Sequence, residues 1–136
     1  MAYALLSVGL MGLLVFLLGL NVSRVRRSVV VTQHEAEADP KSDLRKAIRA
    51  HGNCVEYVPM LSLMILALGL RMPLMPWWVA ALMMLAVFFR YLHAYSILVG
   101  ESVYVGSTLK VVGAVGTYGV GVVLSGILIF RSLALF

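Results

Sequence analysis

The stretch Arg49-Ala50-His51-Gly52-Asn53-Cys54-Val55-Glu56-Tyr57-Val58-Pro59 decides how this chain folds. A cation, an imidazole, an amide and a carboxylate lead straight into the apolar run from Met60 to Leu70. Polar groups in hydrocarbon are costly and need partners, so their presence inside an apolar helix marks a site.

The rest of the chain sets the context for that helix. Of its 136 residues, 62% are hydrophobic and only 12% charged, against about 25% charged in soluble domains. This composition reads as an integral membrane protein with one domain over residues 1–136. The net charge of +5 does not point to nucleic acid. Seven of the eleven Lys and Arg residues (Arg24, Arg26, Arg27, Lys41, Arg45, Lys46 and Arg49) lie together between apolar segments, as the positive-inside rule requires of a cytoplasmic loop. One cysteine, Cys54, permits no internal disulfide. The apolar N-terminus, with no basic region before it, reads as a retained span rather than a signal peptide. Arg131 to Phe136 carry no sorting motif.

About 20 apolar residues at 1.5 Å each cross a hydrocarbon core of roughly 30 Å. Four stretches qualify, giving expected helices over about 3–27, 40–70, 76–98 and 104–131. Each must be helical, because lipid offers the backbone no hydrogen-bond partner. The fold class is therefore an all-α four-transmembrane-helix bundle. Asp39-Pro40 is expected to start the second helix, as N-cap and N1. That helix exceeds the membrane core, so the turns bearing Lys41, Asp43, Arg45 and Lys46 should protrude into water. Arg71 to Pro76 form a Pro-bearing turn, with Trp77 and Trp78 at the interface. The basic first loop places that side in the cytoplasm and both termini opposite.

Depth bookkeeping brings polar groups from all four spans into one layer. Counting back from Leu70 puts Asn53 and Glu56 roughly 3 to 8 Å inside the hydrocarbon. Counting from Trp77 puts Arg90 about 10 Å from the same boundary, with His93 one turn nearer. Arg24 ends the first span there, and Ser107 and Lys110 open the fourth. Arg49, Asn53 and Glu56 (i, i+4, i+7) share one helix stripe, and Arg90 and His93 (i, i+3) share another. Glu56 and Arg90 are the expected intramembrane ion pair.

Plainer roles are available for several of these residues. Glu56 with Arg90 can be a structural clamp alone, and Arg26 and Arg27 serve as topology determinants and headgroup contacts. His51 can be hydrated at the interface, Cys54 a packing residue, and Lys110 a snorkelling side chain. Gly113, Thr117, Gly121 and Ser125 form a small-residue row that admits a close helix neighbour. Three separated histidines and one cysteine lack zinc-ligand spacing. Gly116 to Gly121 lie in an apolar run with no preceding strand, unlike a dinucleotide loop.

Four spans, a basic first loop and Arg-Ala-His-x-Asn-x-x-Glu-Tyr-Val-Pro entering the second span resemble the MAPEG family, the membrane-associated proteins in eicosanoid and glutathione metabolism. Arg90-Tyr91-Leu92-His93 in span three supports the resemblance, which covers essentially the whole chain. The short length and Glu-Tyr-Val-Pro ending look most like bacterial members, implying a bacterial inner membrane. The resemblance implies a homotrimer with glutathione, a co-substrate, bent into each subunit interface near the cytoplasmic face. It implies transfer of glutathione to lipophilic electrophiles, reduction of lipid hydroperoxides, isomerisation of endoperoxides, or binding of a lipid without catalysis.

Carried over by position, Asn53 and Glu56 are glutathione contacts, Glu56 accepting from the peptide's amino group. Arg24 resembles a first-span arginine that reaches a carboxylate or the thiolate. Arg49 is a carboxylate contact or structural, His93 a helix-three binding residue and Arg90 its companion. Ser107 sits beside the thiol, where an Arg-Ser pair often opens span four. Here Gly106 replaces that arginine, Lys110 stands where some members carry a tyrosine one turn later, and Ile97 stands where a tyrosine follows His93. Conjugation needs a thiolate, which a nearby cation stabilises. Arg24, Lys110 and Ser107 are the candidates, although an ammonium does not reproduce a guanidinium fork. Two other classes compete: a non-catalytic lipid-binding or scaffold member of this family, and a small multidrug exporter. Such exporters usually place a carboxylate in the first span, and this first span has none.

Overall fold

A computed structural model describes residues 1–30 and 32–133. Five helices and no strand occur among them: α1 Ala2–Arg27, α2 Gln33–Ala38, α3 Asp43–Arg71, α4 Trp77–Val99 and α5 Thr108–Leu133. All but α2 are long and apolar enough to cross a membrane. The last three residues of the segment read as free of a sorting motif lie outside the described residues.

Helix α1 carries no charge until its last turn, where Arg24, Arg26 and Arg27 face the negative end of the helix dipole. It packs mainly on α3, α4 packs mainly on α5, and α3 meets α4 between the two pairs. Met11, Leu14 and Leu18 of α1 join Cys54, Leu61 and Ile65 of α3, with Met83 and Ala86 of α4, in one buried core. Large apolar side chains such as Phe16, Met60, Phe88 and Val122 point outward. Such an exterior suits lipid rather than water.

Three expectations about the elements change. The second span does not start at Asp39-Pro40. Its helix begins at Asp43, with Ser42 as N-cap accepting from the Arg45 N–H at 3.0 Å. Asp39 instead ends α2 and turns the chain, its carboxylate accepting from the Lys41 N–H at 2.9 Å. The polar connection also holds a helix of its own. Thr32 and Glu35 cap α2 reciprocally, a capping box visible in the sequence as Thr-x-x-Glu. The fourth spanning helix begins at Thr108, four residues later than expected. Residues 101–107 form a loop tied to the α2–α3 link: the Val103 N–H donates to the Pro40 carbonyl, and Lys41 meets Glu101 at 3.3 Å.

The small-residue row on α5 starts in close contact with α4 at Gly113 and continues along the groove beside α3. A Cβ on Gly113 would lie 2.8 Å from the backbone N and Cα of His93 on α4. A Cβ on Gly116 would collide with the Phe89 ring. Thr117 and Ser125 turn their hydroxyls back to the carbonyls of Gly113 and Gly121, so the row presents little polarity. Gly113→Ala must push α5 off α4 and is expected to cost about 1–3 kcal/mol. Thermal unfolding in detergent should show a lower midpoint for Gly113→Ala than for Gly119→Ala, where the added methyl meets nothing within 4 Å. Equal midpoints would contradict this packing.

Candidate functional site

The site is built around α3. Its core-facing stripe runs through Cys54, Val58, Leu61 and Ile65, all buried. At about 100° per residue, Asn53 stands at the edge of that stripe, while Glu56 lies about 200° beyond Cys54. Asn53 therefore reaches α4 and Glu56 turns outward. Arg90 of α4 is 1% exposed. Its Nη2 donates to the Asn53 side-chain Oδ1 at 2.8 Å and to the Asn53 carbonyl at 3.2 Å. Its guanidinium also lies over the Tyr57 ring, 5.3 Å from the centroid.

The expected Glu56–Arg90 ion pair is thus replaced by an Asn53–Arg90 pair. Glu56 faces Arg49 on the outer surface, Oε1 to Nη1 at 3.6 Å, with both side chains about half exposed (51% and 53%). Arg90 meets no carboxylate among the described residues, and its Nε has no hydrogen-bond partner. The Asn53 contact fixes one more feature. With Oδ1 taken by Arg90, the amide presents its N–H donors to any guest.

His93 is buried, and its Nδ1 lies 3.0 Å from the Lys110 carbonyl on α5. Ser107 caps α5, its hydroxyl accepting from the Lys110 N–H at 3.2 Å. The Lys110 ammonium donates to the carbonyls of Val103 at 2.6 Å and Val105 at 3.4 Å. Neither the Ser107 hydroxyl nor the Lys110 ammonium is aimed at Asn53 or Glu56; both build the first turn of α5. Arg24 is exposed and lines two clefts at the end of α1, of about 440 and 380 Å³, neither of which includes Asn53, Glu56 or His93. His51 lies against Gly19 of α1, and its Nδ1 is buried without a partner. The chain therefore joins Asn53 to Arg90, Arg49 to Glu56 and His93 to the start of α5, and leaves Arg24 apart.

A groove of about 630 Å³ runs between α3 and α5, from Glu56 and Tyr57 to Ser125 and Ile129. Its walls are largely apolar. At its polar end the hydroxyls of Tyr57 and Tyr118 meet at 3.2 Å. Sequence reading gave these two tyrosines no role. The available signal was a phenol inside an apolar span, which needs a hydrogen-bond partner as much as an ion does. Among the described residues no group of three His, Cys, Asp or Glu side chains could hold a metal ion.

Comparison with known proteins finds one family model, that of the MAPEG family, matching residues 4–130. No curated protein and no solved structure matches the chain.

Proposed function

The chain belongs to the MAPEG family of membrane proteins, and on that premise we propose that it is a membrane-bound glutathione transferase or peroxidase-like enzyme acting on lipophilic electrophiles. Glutathione binds near the cytoplasmic face, between subunits of a homotrimer in a bacterial inner membrane, and both termini lie on the opposite side.

One observation carries this reading. Arg49 and Glu56 stand half exposed on the outer face of α3, and the helix rise puts Glu56 about 8 Å inside the hydrocarbon, where a charge facing lipid is costly. A second copy covering that face removes the cost and encloses Arg49 and Glu56, with the buried Asn53–Arg90 pair behind them. Such an enclosure offers an amide donor, a carboxylate and cations. Those groups complement a zwitterionic tripeptide with two carboxylates and an amine. Glu56 accepts from the amine, Asn53 donates to a carbonyl or carboxylate, Arg49 balances a carboxylate, and Arg90 orients Asn53 from behind. His93 supports the same wall. Arg24, remote from these groups within its own subunit, meets them from the neighbour and stabilises the thiolate.

A second reading has an observation of its own. The Lys110 ammonium is engaged by two loop carbonyls, so α5 directs no free cation from this residue at a thiol. This favours a lipid-binding or scaffold member without turnover. Ultraviolet difference absorbance of the detergent-purified protein with glutathione separates the two. The enzyme shows a thiolate band that Arg24→Ala removes, together with conjugation of chlorodinitrobenzene. Binding with neither band nor turnover supports the scaffold.

A further inference from the structure

We propose that the end of α1 bearing Arg24 and Arg27 is a binding site for an anionic phospholipid with a single phosphodiester and an uncharged, hydroxyl-bearing headgroup. Such a site stands apart from the glutathione reading and does not rest on it.

Charge pairing leaves these two arginines over. The chain carries eleven Lys and Arg against six Asp and Glu. All six carboxylates are engaged within the chain. Arg26 meets Glu37, Lys46 meets Asp43, Arg49 meets Glu56 and Lys41 meets Glu101. Glu35 accepts from the Thr32 hydroxyl and Asp39 from the Lys41 N–H. Arg24 and Arg27 meet no carboxylate among the described residues. A second copy carries the same engaged carboxylates and has no free one to bring. The anion that complements Arg24 and Arg27 therefore comes from outside the protein.

The cleft around them describes that anion. Leu20, Ser23, Arg24, Arg27 and Ser28 line a space of about 440 Å³, with no acidic side chain. Their spacing (i, i+3, i+4, i+7, i+8) is one face of a helix. Guanidinium forks match phosphate oxygens. The Ser28 hydroxyl donates to the Val25 carbonyl at 2.9 Å, so its free capacity is as an acceptor. An acceptor there calls for a headgroup donor, and the adjacent guanidiniums repel an ammonium, which leaves a hydroxyl. Arg24 and Ser28 also border a second cleft of about 380 Å³. Asp43 lines that one and disfavours a second phosphate in it.

The apolar stripe below decides for a lipid over a free phosphate. Leu13, Leu17 and Leu20 are each at least 50% exposed. At 100° per residue they lie within about 40° of Arg24 around α1. Leu13 is about 16 Å from Arg24 along the axis, the depth of one leaflet in a hydrocarbon core of roughly 30 Å. A cationic head with an apolar track of leaflet length beneath it complements a phosphate with acyl chains attached. Arg24 has five N–H donors, so a headgroup contact leaves others for a thiolate. Arg27 has no second role and is the residue on which the site is tested.

Each arginine near the membrane surface raises affinity for anionic lipid about fivefold. Native mass spectrometry of the protein in neutral detergent, titrated with dioleoyl phosphatidylglycerol or dioleoyl phosphatidylcholine, reads the affinity for the first bound lipid. The wild-type protein should prefer phosphatidylglycerol, and Arg27→Gln should lose about fivefold of that preference. Arg26→Gln is the control. It removes the same charge one residue away, from a side chain that lines neither cleft and already faces Glu37, and it should keep most of the preference. Equal losses in the two variants would leave only diffuse surface charge and overturn the site. A wild-type protein without the preference overturns it as well, the face of α1 then being covered by a second copy or bare. Displacement of phosphatidylglycerol by excess glycerol phosphate overturns the lipid in favour of a free anion. Glutathione affinity should be unchanged in Arg27→Gln, so the failure of this site and the failure of the glutathione reading are seen separately.

Discussion

Asn53→Ala and Glu56→Gln each weaken glutathione binding by about 10- to 100-fold, while the helices stay assembled. The size follows from what each side chain offers. Hydrogen bonds to charged groups contribute about 1.5–3 kcal/mol, and every 1.4 kcal/mol is about tenfold in affinity. Asn53 is held by Arg90 through Oδ1, so its amide N–H groups are oriented donors that alanine removes. Glu56 is held by Arg49 at 3.6 Å in a half-exposed pair, a contact that contributes little to folding. Glutamine keeps the shape and loses the charge that an ammonium group recognises. The folded state should tolerate Glu56→Gln well, whereas Asn53→Ala also strips Arg90 of its side-chain acceptor. Calorimetric titration beside size-exclusion chromatography reads both effects. Wild-type affinity in both variants would remove this face of α3 from the site.

Arg90→Met is expected to lose about 30-fold in glutathione affinity, with helix packing retained. Arg90 is a buried guanidinium with no carboxylate partner among the described residues. A cation in that state is destabilising to the isolated bundle, so an apolar side chain of similar length is close to neutral for folding. Binding is another matter. A hydrogen bond to a charged group contributes about 1.5–3 kcal/mol, and its loss here falls on the orientation of Asn53. Arg90→Lys should recover only part of the affinity, since a compact ammonium does not reproduce the planar guanidinium whose Nη2 meets both Asn53 oxygens and whose face covers Tyr57. A collapsed unfolding midpoint in Arg90→Met, with binding lost only in proportion, would make Arg90 a structural clamp instead.

These expectations rest on features of unequal legibility in the sequence. The four spans were plain, because length and hydropathy alone fix them. Depth counting correctly brought Asn53 and Arg90 together, since both positions follow from 1.5 Å per residue. It chose the wrong partner for Arg90. Glu56 lies at a suitable height, but about 200° around α3 from the core stripe, and height arithmetic carries no azimuth. Counting from Cys54, whose burial an apolar stripe through Val58, Leu61 and Ile65 implies, would have turned Glu56 outward. The start of α3 went to Asp39-Pro40 because both residues favour a helix N-terminus. Ser42 won because Asp39 already closes α2 and its carboxylate is spent on the Lys41 N–H. From sequence position alone Lys110 fits either a snorkelling side chain or a candidate cation for the thiolate. Its engagement by Val103 and Val105 depends on the path of the loop, which composition does not specify. The Tyr57–Tyr118 contact joins helices 61 residues apart in the chain and had no local signature.

The small-residue row shows the reverse case. Its spacing announced a close helix neighbour but left open whether that neighbour belonged to the same subunit. His93 answers this for Gly113, while Thr117, Gly121 and Ser125 line the groove between α3 and α5.

Calorimetric titration of glutathione into the detergent-purified wild-type protein tests the central claim most directly. A polar layer that binds the tripeptide predicts saturable heat with one site per subunit, reduced at least tenfold in affinity by Glu56→Gln. The absence of saturable binding in the wild-type protein, with the helices folded, would contradict it.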